Sequence, residues 1–76
     1  MIYEPSEQNK KQIENNFKYH TPKDGQSQKY EQIRAMAKSF AADLVTLCPP
    51  SRELSLALTE LENAVMWANA AIARNE

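Results

Sequence analysis

One cysteine, one histidine and one glycine are all that this 76-residue chain has of three chemically useful residue types. With Cys48 alone, an internal disulfide is impossible. One Cys and one His fall short of the four ligands that a structural zinc site needs within a single chain. A single glycine rules out a glycine-rich loop that cradles phosphates. No apolar run approaches the ~20 residues of a membrane span. The opening MIYEPSEQ is polar and lacks the apolar core of a signal peptide, so a cytosolic protein is expected, in keeping with a lone thiol. Charge of one sign is also lacking. The net charge is −1 and the sequence pI about 5.8, which argues against a general DNA or RNA binder.

Catalysis finds little support. General acid–base work wants paired titratable groups held in a pocket, whereas the acids here are scattered over positions that read as helix surface. Cys48 falls at the C-terminal end of a helical pattern, where the dipole disfavours a thiolate. A Cys48/His20 dyad is conceivable, but a small buried thiol is the better reading. The chain is expected not to be an enzyme and to carry no cofactor.

What is present is helical periodicity. Pro5-Ser6 is a helix-start signal, with the serine hydroxyl able to cap a free N–H. A short helix is expected over 6–17, with Ile13 and Phe17 its thin apolar content; a helix this short must dock on something. Thr21-Pro22 breaks the chain and Lys23-Asp24-Gly25 adds turn chemistry, so 18–26 reads as a loop. Tyr30, Ile33, Ala37, Phe40, Leu44 and Leu47 then step by three and four residues, the stripe of a helix packed along its length on another. Pro49-Pro50 stops it and Ser51 caps the next helix. There, Leu54, Leu58, Leu61, Val65, Ala68 and Ile72 form the matching stripe, flanked by Ala57, Ala64 and Ala71 and widened by Met66 and Trp67.

The expected fold is all-α, a single helical domain over 1–76: a short helix at 6–17, then helices at 27–48 and 51–74 forming a long antiparallel hairpin of roughly 35 Å. A chain this short buries only about 60% of the surface its unfolded form exposes. With disulfide and metal excluded, a partner subunit is the remaining common staple. The apolar sector of the last helix is wider than one neighbour covers. We read the surplus as a subunit interface; the alternative is that the N-terminal helix folds back over it.

Charge is unevenly distributed. Residues 10–38 carry six lysines and one arginine against three acids, a local +4; residues 39–76 carry two arginines against five acids, a local −3. A local cationic cluster suits a small anionic ligand better than a long polyanion. It coincides with the irregular stretch NNFKYHTPKDGQSQKY. Tyr19 and Tyr30 offer aromatic faces for bases. Lys23, Lys29 and Arg34 offer cations for phosphate. The first turns of the long helix offer free N–H groups and a positive dipole end. A solvated lysine-rich loop with one core tyrosine is the plainer reading of the same residues. His20 is either a ligand contact or a ring that caps a neighbouring carbonyl. Trp67 reads better as a packed interface or core aromatic than as a stacking platform.

Four stretches carry a resemblance: F-x-Y-H-x-P (Phe17 to Pro22), K-Y-x-x-I-R (Lys29 to Arg34), C-P-P-S-R-E (Cys48 to Glu53) and, above all, SLALTELENAVMWANAAIARNE (Ser55 to Glu76). Over about residues 15–76 the chain resembles the phage anti-CBASS nucleotide sponges; residues 1–14 match nothing comparable. CBASS is a bacterial antiphage defence in which a cyclic oligonucleotide messenger activates a killing effector. The resemblance implies a protein that sequesters the messenger without cleaving it, in the cytoplasm of the infected bacterial host. It implies a homo-oligomer, expected to be a hexamer. It further implies that cyclic dinucleotides such as 3′,3′-cyclic GMP-AMP bind between protomers and cyclic trinucleotides bind at separate sites. In the dinucleotide site the resemblance puts a base-stacking tyrosine at Tyr19 and a phosphate-binding cation at Arg34, with Lys29 as competitor. Arg74 matches the arginine of the trinucleotide site, and His20 and Lys23 flank. DNA, RNA and membranes are not expected partners. A small helical module that docks on a host protein through the last helix is the competing function, and a phosphodiesterase is a distant third.

Overall fold

Every regular element of the computed structural model is a helix, and the structure describes residues 2–76. The helices are α1 (Glu7–Asn16), α2 (Gln26–Leu47) and α3 (Arg52–Asn75), with no strand among the described residues. Ser6 is in extended conformation and its hydroxyl accepts the Asn9 N–H at 3.0 Å, which starts α1. The Phe17 N–H closes α1 on the Ile13 carbonyl. Ser51 caps α3 in the same way, its hydroxyl accepting the Leu54 N–H at 3.1 Å while donating to the Pro49 carbonyl at 3.0 Å. The Pro-Pro-Ser turn therefore ends α2 and starts α3 with one side chain.

Gly25 enters α2 at φ 83, the left-handed region that costs glycine nothing. Helix α2 begins at Gln26 because that residue is locked on both sides. Its amide oxygen accepts the Lys23 N–H at 2.9 Å, and its amide nitrogen donates to the Glu76 carboxylate at 3.2 Å.

Helices α2 and α3 pack along the two stripes. Tyr30, Ile33, Ala37 and Leu44 are half-buried, as is the whole α3 row from Leu54 to Ile72, but Phe40 and Leu47 stay exposed. One further expectation needs correction, and the alternative for the last helix falls with it. Ile13 and Phe17 do not dock: they are 56% and 85% exposed, because α1 is joined to the hairpin through polar groups, with Asn15 Nδ2 donating to the Arg74 carbonyl at 3.4 Å. Nor does α1 cover the surplus apolar face of α3, where Met66 and Trp67 stand exposed. Among the described residues no apolar side chain is buried, and Gln26 is the one buried residue, at 4% exposure.

The chain measures 49 × 41 × 13 Å with a radius of gyration of 17.0 Å. A compact domain of this length would have a radius near 11 Å, and 13 Å is close to the ~10–12 Å diameter of a single helix. The fold is one helix layer thick, whereas a stable domain needs two. The accessible surface of 6675 Å² makes the same point. A folded monomer of 8.7 kDa exposes about 4,700 Å², so about 2,000 Å² more lies open than a self-sufficient domain would show. Among the described residues no helix is long and apolar enough to cross a membrane.

Candidate functional site

Where the end of α1, the 17–25 loop, the second turn of α2 and the last turns of α3 meet, the chain forms an open groove of about 470 Å³. Tyr19 and His20 enter it from the loop, Tyr30 and Arg34 from α2, and Asn69 and Arg74 from α3. The spacing explains the convergence. Tyr30 and Arg34 are four residues apart on one face of α2, while the Thr21-Pro22 break turns the chain back so that Tyr19 lies beside them. Tyr19 is 80% exposed, so its ring face is open to a ligand.

The electrostatics are one-sided. Lys18, Arg34 and Arg74 line the groove and no carboxylate does. The ion pairs among the described residues are Lys10–Glu7 and Lys29–Glu76, so both arginines keep their charge unmatched. His20 Nε2 lies 2.9 Å from the Asn15 carbonyl and must carry its proton there to bond. His20 thus caps a neighbouring carbonyl and lines the groove as well. Asn69 contributes a polar atom, Oδ1, that is buried without a hydrogen-bond partner among the described residues.

Lys29 and Lys23 face elsewhere. Lys29 Nζ pairs with Glu76 Oε2 at 2.6 Å, Gln26 Nε2 holds Oε1 at 3.2 Å, and Lys23 Nζ bonds the Glu76 backbone carbonyl. The bond from Lys29, then that from Gln26, holds the Glu76 carboxyl below its ordinary value of 4.5. The N-terminus of α2, expected to face a ligand, therefore has this internal carboxylate as its neighbour. The groove instead meets α2 further along, at Tyr30 and Arg34.

Of the six residues singled out in the sequence, Tyr19, His20, Arg34 and Arg74 share one groove, while Lys23 and Lys29 join on Glu76. The conceivable Cys48/His20 dyad does not form. Cys48 follows the C-terminal end of α2 and His20 precedes its start, with a helix of about 33 Å between them. Cys48 is half-buried rather than buried. Trp67 is 69% exposed and belongs to no core within the chain. Sequence reasoning missed Gln26, Asn69 and Glu76. The partners of Glu76 lie 47 to 53 residues away along the chain, beyond the reach of any local pattern. Among the described residues no group of three or more His, Cys, Asp or Glu side chains is placed to hold a metal ion.

A helical hairpin with an open groove of tyrosines, a histidine and unpaired arginines has the surface chemistry that a small anionic ligand calls for. The family model of the Acb2/Tad1 hairpin domain matches residues 9–73, and the chain belongs to that family, the anti-CBASS nucleotide sponges. It is a family of cyclic-nucleotide-sequestering proteins rather than enzymes. No curated protein and no solved structure matches the chain.

Proposed function

We propose that this protein sequesters cyclic dinucleotides such as 3′,3′-cyclic GMP-AMP in the groove around Tyr19 and Arg34. The observation that carries the reading is the meeting of Tyr19, Tyr30, Arg34 and Arg74 in one carboxylate-free groove. A base stacks on the exposed face of Tyr19, and the Arg34 guanidinium takes the phosphate in a planar, two-pronged contact. Between Arg34 and Lys29, the reading favours Arg34, because Lys29 is already paired with Glu76.

The ligand has two bases, two phosphates and approximate two-fold symmetry. It suits a site shared by two protomers, each giving one aromatic ring and one cation. The uncovered surface supports assembly of more than two chains. A standard interface buries about 800 Å² per partner, so an excess of about 2,000 Å² leaves room for two interfaces per protomer, as a hexamer would use. Arg74 lines the same groove as Arg34 within one chain. For it to serve a separate cyclic trinucleotide site, as proposed from the resemblance, assembly must present it to a different neighbour.

Titration calorimetry with a panel of cyclic di- and trinucleotides tests the reading, followed by heat denaturation and chromatography of the released ligand. Tight binding and recovery of intact ligand are expected; absence of heat with every cyclic nucleotide would sink it. Arg34→Ala should weaken dinucleotides and Arg74→Ala trinucleotides, and equal losses for both ligand classes would remove the two-site picture. The exposed Met66 and Trp67 favour one second reading, a module that docks on a host protein. A monomer by light scattering, with no nucleotide bound, would favour it.

A further inference from the structure

The loop that carries Tyr19 and His20 is fixed at both ends to the final turn of α3. Upstream, His20 bonds the Asn15 carbonyl, and Asn15 Nδ2 in turn bonds the Arg74 carbonyl. Downstream, Lys23 bonds the Glu76 backbone carbonyl, and the Lys23 N–H bonds Gln26, the single buried residue, whose amide nitrogen holds Glu76 Oε1. Lys29 of α2 completes the carboxylate's shell at Oε2. The side-chain tethers of this loop to other elements therefore run through Asn15 on one side and through Glu76 and Gln26 on the other, beside the local backbone bonds of Phe17 to Ile13, Gln26 to Lys23 and Lys29 to Gly25.

We infer that Glu76 is a positioning residue for the nucleotide groove: its carboxylate ties Gln26 to Lys29 while its backbone carbonyl takes Lys23, and Gln26 so fixed holds the Lys23 N–H and with it the Tyr19 loop in its binding conformation. Lys23 and Lys29 act in this clasp and not on the ligand. The inference rests on the groove's proposed role as a nucleotide site.

The physical reason is preorganisation. Between Phe17 and Gly25 the chain has no helix, and Tyr19 makes no hydrogen bond among the described residues that would hold it. A loop in this state loses conformational freedom when a base stacks on it, and that loss weakens binding. With the clasp closed, the loss is met in folding. The carboxylate is suited to the task because a single group accepts from Lys29 and Gln26 at once, three residues apart on the first turn of α2 and on two different oxygens.

The test uses the full chain and 3′,3′-cyclic GMP-AMP. Glu76→Gln keeps the shape and removes the charge; it should weaken binding by roughly five- to thirtyfold, the factor expected from releasing a few ordered side chains. Helix content should not change. Lys29→Gln should cause a similar loss, and the double variant should be no weaker than either single one, because both substitutions open the same clasp. Glu76→Asp, which keeps the charge, should recover part of the affinity. In the ligand-free protein, hydrogen exchange at the amides of residues 18–25 should quicken in Glu76→Gln while α2 and α3 keep their protection. Unchanged affinity and exchange in Glu76→Gln would overturn the inference. So would additive losses in the double variant, which would put Lys29 on the phosphate. If wild type binds no cyclic nucleotide, the proposed function fails, and the exchange measurement still decides whether Glu76 orders the loop.

Discussion

In the proposed nucleotide site, Tyr19 and Glu76 divide the work at the level of single side chains: one would offer a surface, the other hold it still. Stacking of a base on an aromatic ring contributes ~1–3 kcal/mol, so Tyr19→Ala should weaken cyclic dinucleotide binding by roughly five- to a hundredfold per contact. Tyr19→Phe keeps the ring and should bind nearly as wild type; a large loss in Tyr19→Phe by calorimetry would mean that the hydroxyl, not the face, makes the contact. Glu76 gives a prediction in pH. Its carboxyl is held below 4.5, chiefly by the Lys29 bond and then by Gln26, with Lys23 from the loop and Lys29 from α2 the charged groups facing it. A depressed carboxyl stabilises the folded form above its ordinary value, and that contribution is lost as pH falls through the depressed value. The clasp should thus stay closed at neutral pH and open only on acidification below 4.5. A carbon-detected NMR titration of Glu76 with a midpoint at or above 4.5 would contradict it.

Among the elements, the hairpin is the part most open to inspection in the sequence. The heptad stripes of α2 and α3 and the Pro49-Pro50 stop are local patterns, and the helices form where those patterns run. What did not follow were the features that depend on contacts outside a window of a few residues. Ile13 and Phe17 looked like a docking pair but stand exposed, and Lys29 looked like a free cation because its carboxylate lies 47 residues further on. Tyr19 and Arg34 stand out by their chemistry and Arg74 by resemblance, and their common groove emerges only when the loop turns back on α2. The entry from that loop into α2 is made at Gly25, in the left-handed region. A Cβ there would meet no atom within 4 Å, so the whole cost of substitution lies in the backbone. Gly25→Ala should lose roughly 1–2 kcal/mol, a fall of about 5–15 °C in Tm for a domain this small. Gly25→Asn, which tolerates the left-handed region, should lose less. Equal Tm values for all three proteins by circular dichroism would show that the turn is not needed to start α2.

For the whole molecule the deciding quantity is thickness. A layer 13 Å deep has two faces and no interior, and Phe40 and Met36 stand 52% and 64% exposed on one of them. Chains that cover one another's faces should give a scattering mass that is a multiple of 8.7 kDa and a Tm that rises with protein concentration. Phe40→Glu places a charge on that face, and it should reduce the mass toward that of a single chain and lower the Tm together. A wild-type mass of 8.7 kDa with a concentration-independent Tm would remove the assembly from the proposal.

The single-layer architecture also bears on dosage. When each chain's folding depends on its neighbours, newly made protomers are open to proteolysis until enough have accumulated to shield one another. Turnover should then be fast at low copy number and slow once assembly begins. The messenger-trapping capacity of such a protein would grow more steeply than its rate of synthesis, with a threshold set by the association constant.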